Sequence, residues 1–168
     1  VRITKEKVWS SGLLEQNMKK TSKDYIFVFI QFLLFGVYMF DFFQPLSIPK
    51  QLATFGMVIA FIGFMIALLT VFELKTNLTV FPTPTQKAVL LTQGFFRFSR
   101  HPIYSGILMV AFGYALYKYS IYKLLIAGLL FIWFYLKSTY EEKQLAQKFP
   151  SYKEYQSKVG RFFPKIKL

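Results

Sequence analysis

Residues Leu52–Phe72 read LATFGMVIAFIGFMIALLTVF, without one charged side chain. At ~1.5 Å per helical residue a run of this length crosses a hydrocarbon core of ~30 Å. On its N-terminal side, Tyr25–Phe43 (YIFVFIQFLLFGVYMFDFF) is a second apolar run, whose one acid, Asp41, stands near its end. Pro45 and Pro49 then break the chain into a short turn. On the C-terminal side come Ile103–Tyr117 and Ile121–Tyr140, separated only by Lys118, Tyr119 and Ser120. So short a link predicts an antiparallel helical hairpin, with a first arm that is short for a full crossing. The predicted fold is an all-α integral membrane protein with about four transmembrane helices and a C-terminal helical hairpin. Gly56, Ala60 and Gly63 lie close to one face of the second helix, where small side chains let a neighbouring helix approach.

Composition agrees with a bilayer. The chain has 168 residues, 54% hydrophobic and 17% charged, whereas a soluble domain carries about a quarter charged residues. It has no cysteine and a single histidine, His101, which excludes disulfides, thiolate chemistry and a multi-histidine metal site. The net charge of +13 would suit nucleic acid in a soluble protein. Here the basic residues flank apolar blocks, so membrane lipids with anionic head groups are the expected partner, with no nucleic acid and no metal.

The chain divides into a basic N-terminal segment (1–24), two N-terminal transmembrane helices (25–72) and a C-terminal region of loop, hairpin and tail (73–168). In the first segment Trp9, Leu13, Leu14 and Met18 stand at loosely helical spacing, which fits either an interfacial helix or a frayed tail. The segment does not read as a signal peptide, because a long polar stretch precedes the first apolar run. Glu73–Arg100 is the longest polar interval, with Pro82, Pro84 and a turn at Thr92–Gly94. Its apolar content (Val89, Leu90, Leu91, Phe95, Phe96, Phe98) argues against disorder. Of the 21 Lys and Arg residues, six precede the first span, four lie between the second and third, and eight stand from Lys137 onward. The two opposite connections hold Lys50, and Lys118 with Lys123. The positive-inside rule therefore predicts that both termini and the long loop are cytoplasmic.

Two polar clusters lie at opposite ends of the hairpin: Arg100-His101-Pro102-Ile103-Tyr104 and Glu141-Glu142. An antiparallel hairpin returns both to one surface. Taken singly, each has a plain structural reading. Pro102 suits a helix's first turn, Arg100 a lipid phosphate, His101 the interface and Tyr104 an aromatic belt. Glu141 suits an ion pair with Lys137 one turn earlier.

Together they are more specific. The stretch LLTQGFFRFSRHPIYSGI, an apolar hairpin, and EEKQLAQKFPSYKEYQSKVGRFFP resemble the isoprenylcysteine carboxyl methyltransferase and phospholipid methyltransferase families over roughly residues 76–166. Their shared pattern is Leu-Val-x-x-Gly-x-Tyr, Arg-His-Pro-x-Tyr, a hairpin, Glu-Glu-x-x-Leu, and a tail bearing Tyr and Arg that ends in Pro. The resemblance implies a membrane enzyme that takes S-adenosylmethionine in a cytoplasmic cofactor pocket beside the hairpin, so that the active site is cytoplasmic, without a Rossmann domain, and no Gly-rich fingerprint follows a strand here. It implies cofactor binding by Val89, Leu90, Leu91, Phe96, His101, Pro102, Ile103, Tyr104, Glu141 and Tyr155. It assigns Arg100, Lys137, Glu142 and Arg161 to the catalytic and substrate side, with Tyr152 lining or closing the pocket.

This sequence departs from the pattern at three places. Phe96 replaces a Tyr, keeping stacking and losing a hydrogen bond. Lys137 stands where the eukaryotic carboxyl methyltransferases have Arg, keeping charge and losing the bidentate fork. The Phe149–Tyr155 segment is one residue short of the common spacing, which makes Tyr155 the firmer match of the two tyrosines.

The implied reaction is in-line transfer of a methyl group to a lipid-like or small hydrophobic substrate, with a carboxylate or thiol as the first choice. A carboxylate or thiolate needs no base. A phospholipid amine or a hydroxyl would need one, with His101 or Glu142 as the candidate. Two further readings stay open at this point: an NADPH-dependent membrane reductase with a similar Arg-His-Pro-x-Tyr element, and a non-catalytic membrane scaffold.

Overall fold

A computed structural model describes residues 20–42, 49–74, 79, 81–84 and 89–165. The expectation of an interfacial helix around Trp9, Leu13, Leu14 and Met18 lies outside them, as does Pro45. The described residues form five α-helices and a short 3₁₀ turn: α1 (Ser22–Met39), α2 (Lys50–Leu74), the turn Gly94–Arg97, α3 (Pro102–Tyr117), α4 (Ile121–Lys148) and α5 (Tyr152–Lys158). Helices α1, α2 and α4 are long and apolar enough to cross a membrane, and α3 is a shorter apolar helix. The all-helical architecture is as expected. The third helix does not extend past its apolar run: it starts at Pro102, where the missing N–H costs nothing, and ends at Tyr117.

The side chains of α2 are distributed in the opposite sense to a soluble helix. Its buried positions are Ala53, Gly56, Ala60, Gly63 and Thr70, while Phe55, Phe61, Phe64 and Phe72 are exposed. Large apolar side chains pointing outward and small ones inward is the arrangement that lipid favours, because close backbone approach, not apolar bulk, joins helices there. The partner surface on α3 is of the same kind. A Cβ on Gly113 would sit 2.4 Å from the Gly56 carbonyl, and one on Gly106 would sit 2.6 Å from that of Gly63. The pairs Gly56–Gly113 and Gly63–Gly106 run in opposite chain directions, so α2 and α3 are antiparallel and meet backbone to backbone.

The α3–α4 link makes the tight reversal that its length predicts. Tyr119 takes the left-handed conformation at φ 56°, and the Ser120 hydroxyl caps α4 by accepting from Lys123 N at 3.1 Å. The same hydroxyl donates to Asp41 at 2.7 Å, which ties the end of α1 to the hairpin. Lys123 Nζ donates to the carbonyls of Tyr38 and Phe40 at 2.7 and 2.9 Å, filling acceptors left open at the end of α1. At the other end, α4 runs 28 residues, about 42 Å at ~1.5 Å per residue and longer than a hydrocarbon core of ~30 Å. Its last turns therefore project beyond the core and carry Glu141 and Glu142.

The α2–α3 contact gives a direct prediction. Gly113→Ala should destabilise the detergent-solubilised protein by about 1–3 kcal/mol, since its methyl meets backbone that cannot yield. Gly128→Ala on α4, with nothing within 4 Å, should be neutral or gain the ~1 kcal/mol of helix propensity. Thermal unfolding of the two variants side by side checks this.

Candidate active site

The site begins with a backbone stitch. Ser99 and Gly160 form a parallel bridge, with Arg100 N donating to Gly160 O at 2.9 Å and His101 N to Arg161 O at 3.0 Å. The Ser99 hydroxyl donates to Arg161 O and the Ser105 hydroxyl to Phe162 O, at 2.7 and 2.6 Å. The C-terminal segment is thereby fixed against the start of α3, and α4 passes beside both.

Glu142 occupies the centre of this junction with its side chain 4% exposed. Its Oε1 accepts from Arg100 Nε at 2.9 Å and from His101 Nε2 at 3.0 Å. Its Oε2 accepts from Arg161 Nη2 and Gln156 Nε2, both at 3.0 Å. A carboxylate can only accept, so His101 carries its hydrogen on Nε2. Arg100 Nη1 also donates to the carbonyls of Val159 and Gln156. Arg161 Nη1 reaches Thr139 Oγ1 at 2.6 Å, and its guanidinium lies 4.4 Å from the centre of the Tyr135 ring. A buried carboxylate facing two guanidiniums and an imidazole is compensated, and it joins the α2–α3 connection, α4, α5 and the tail.

Glu141 lies about 100° further round the helix and faces elsewhere. It accepts one hydrogen bond among the described residues, from Tyr104 OH at 3.1 Å, and lies 3.7 Å from His101 Nδ1. The Tyr104 ring stacks parallel to His101 and to Phe134, with centroids 5.4 and 4.6 Å away. Glu141 borders a cavity of about 240 Å³. Lys137, Glu141 and Leu145 line it from one stripe of α4, at spacings of one helical turn. Arg100, His101, Pro102, Ile103, Tyr104 and Ile107 line it from α3 and the residues before it, and Val89, Leu90, Leu91 and Phe96 from the connection. Phe149, Tyr152 and Tyr155 close the tail side; Gln31 of α1 with Val71 and Leu74 of α2 close the membrane side.

Thr79 and Pro84 complete the wall. The segment that carries them is held by Thr83, whose hydroxyl lies 2.8 Å from both oxygens of the fully buried Asp24. Asp24 also caps α1 by accepting from Thr21 N at 2.6 Å.

Each residue that the sequence assigns to the cofactor lies on this one cavity, and so do Arg100 and Lys137 of the catalytic set. Glu142 and Arg161 do not line it: they stand in the ion-pair cluster behind the wall. The reason is helical rotation, which turns adjacent acids to different faces. With four donors on two oxygens, Glu142 is suited to holding the wall together and not to taking a proton. Sequence reasoning passed over Gln31, Ile107, Leu145, Phe149 and Gln156. Leu145 was readable from its spacing to Lys137 and Glu141, and Gln31 as a lone amide in an apolar run.

The two tyrosines differ in their bonding. Tyr155 OH donates to Phe96 O at 2.5 Å. Tyr152 is 1% exposed and its hydroxyl has no hydrogen-bond partner among the described residues. Burial pushes both phenols above their ordinary range, so both are neutral donors at physiological pH. A buried, unmatched hydroxyl costs about 1–3 kcal/mol, and here it borders an open cavity.

Comparison with known proteins decides the lineage. The family model described as phospholipid methyltransferase matches residues 51–152, from the start of α2 to the start of α5. The chain belongs to the phospholipid methyltransferase family. An uncharacterized protein of Schizosaccharomyces pombe is 33% identical over 79 residues, which cover 44% of this chain and 23% of the yeast protein. The chain thus matches under a quarter of that relative's length.

The ion-pair cluster predicts the effect of removing its centre. Glu142→Gln should leave two guanidiniums uncompensated and cost on the order of 3 kcal/mol. Hydrogen exchange should rise first in the Tyr152–Arg161 segment, before α2 or α3 responds.

Proposed function

We propose that the cavity binds S-adenosylmethionine and that the methyl group passes to a lipid-like acceptor, a carboxylate or thiolate. The observation that carries this reading is the contrast between the two acids. Glu142 is saturated behind the wall, whereas Glu141 keeps acceptor capacity on it, next to an unmatched Tyr152 hydroxyl. A zwitterionic, cationic-sulfur ligand fits that set. Glu141 would meet its positive charge, the Tyr152 hydroxyl its nucleoside or carboxylate oxygens, and the apolar Val89–Leu91 edge and Phe96 its flat ring. When bound, the donor supplies a methyl carbon on a positively charged sulfur.

The chain's own residues orient the acceptor and exclude water. In the step proposed, an acceptor lone pair forms the new bond to carbon while the carbon–sulfur bond breaks and its electrons stay on sulfur. A carboxylate gives an ester and a thiolate a thioether, and no proton moves. That suits a wall whose two candidate bases are committed: His101 Nε2–H and both oxygens of Glu142 are tied to one another and to the guanidiniums. A protonated phospholipid amine would have to lose its proton, and Lys137 on the same wall opposes a second cation. The same cluster argues against a dinucleotide, since the guanidiniums of Arg100 and Arg161 that its phosphates would seek are paired with Glu142. The distribution of basic residues supports a cytoplasmic position for the cavity end and both termini.

Calorimetric titration of the nanodisc-embedded protein with S-adenosylmethionine tests the reading. Glu141→Gln should weaken binding at least about tenfold, as loss of a charged partner does, and unchanged affinity would remove Glu141 from the site. Tyr152→Phe should weaken binding about three- to tenfold yet leave the unliganded protein equally or more stable, because the deleted hydroxyl has no partner to lose.

A further inference from the structure

Glu73 is the last residue but one of α2, at an end where a carboxylate opposes the helix dipole. Among the described residues it forms no ion pair, so α2 itself gives no reason for an acid there. The reason lies across the α2–α3 connection. Glu73 Oε2 accepts from Phe95 N at 3.1 Å, an N–H at the start of the 3₁₀ turn that the turn does not satisfy itself. Gly94 makes the approach possible. A Cβ there would fall on the Glu73 carboxylate, and the backbone has φ 60°, so space and conformation both reserve the position for glycine.

The turn held in this way belongs to the cavity wall. Phe96, the next residue, lines the cavity, and its carbonyl accepts from Tyr155 OH at 2.5 Å. The Phe95–Phe96 stretch is therefore gripped from two sides, by α2 through a side-chain acceptor and by α5 through a side-chain donor. Leu90 and Leu91 line the cavity just ahead of the turn and lie outside any helix or strand. The turn is the regular element closest to them. Glu73 does not line the cavity, although its neighbour Leu74 does. Whatever Glu73 contributes to the site passes through the turn.

We infer that Glu73 is a positioning residue for the donor part of the cavity, which sets Phe96 against the flat ring of the bound nucleoside without touching the ligand itself. The assignment rests on the cofactor reading above and is independent of the methyl acceptor.

The test titrates the full chain in nanodiscs with S-adenosylhomocysteine. Glu73→Leu deletes the acceptor, and Glu73→Asp keeps the charge but withdraws it by one methylene. Each should weaken binding at least about tenfold, the scale of one hydrogen bond to a charged group. Glu73→Gln, whose amide oxygen still accepts from Phe95 N, should stay within about threefold of wild type. Phe96→Ala should weaken binding about tenfold, as loss of one base–aromatic stack does. Adding Glu73→Leu to Phe96→Ala should cost less than about threefold more, because a residue that acts through Phe96 then has nothing to position. A merely structural role would give additive losses. Thermal unfolding of the unliganded variants shows which are folded, and Glu73→Asp takes the place of Glu73→Leu throughout if the latter is not. Wild-type affinity in Glu73→Leu and Glu73→Asp overturns the proposal. So does a Glu73→Gln protein as weak as either, or additive losses in the double variant. Failure of wild type to bind S-adenosylhomocysteine overturns the cofactor reading, and the role of Glu73 falls with it.

Discussion

The Glu142 carboxylate is the constraint on which the site depends. Three segments outside α4 converge on its two oxygens: the Arg100–His101 stretch, Gln156 of α5 and Arg161 of the tail. Alone, none of these would hold its place, because each is short and polar and lies where the helical bundle ends. The buried charge makes the junction cooperative: removing any one donor leaves an acid short of partners, and removing the acid leaves two guanidiniums unmatched. His101 is the hinge between this scaffold and the cavity. Its Nε2–H is fixed by Glu142, which sets the ring plane, and that plane sets Tyr104 by stacking. Tyr104 in turn donates to Glu141. The orientation of the acid on the wall is thus inherited from the acid behind it.

The cavity exists because the helices pack unequally. Helices α2 and α3 meet through glycine at two levels, so close that no Cβ fits between them. Helix α1 packs instead against α4 through aromatic side chains, among them Phe27 with Trp133 and Phe35 with Phe134. Tight contact on one side and bulky contact on the other leave space between α1, α2 and the start of α3. The segment tied to Asp24 through Thr83 bounds that space beyond the helices.

The fold was largely legible in the sequence because the apolar blocks are long and their flanks are charged. Gly56, Ala60 and Gly63 announced the α2 interface by their spacing, and Lys118–Ser120 announced the hairpin by its length. The cavity wall was legible where a motif carried it, at His101–Tyr104 and Glu141, since the hairpin dictates that these meet. Three things were not. The separation of Glu141 from Glu142 depends on how the tail lies against α4, which no local pattern encodes. Asp24 of α1 and Thr83 of the α2–α3 connection come together in a pairing with no periodicity behind it. Gln31 stood in plain view as the one amide in YIFVFIQFLLF, but its partner lies on another helix. Local patterns reveal faces of helices; they do not reveal which faces meet.

The wall of this cavity sets polar and apolar side chains side by side. It carries three tyrosines, the carboxylate of Glu141 and the edge at Val89–Leu91. Ile107, Val71 and Leu74 line it as well, together with the bonded pair Lys137 and Gln31. Unpaired charge on so buried a wall would be costly. The Lys137–Gln31 bond offsets part of that cost, since the amide oxygen accepts from the buried ammonium. Helix α1, which contributes no other residue to the wall, is joined to α4 there through that bond.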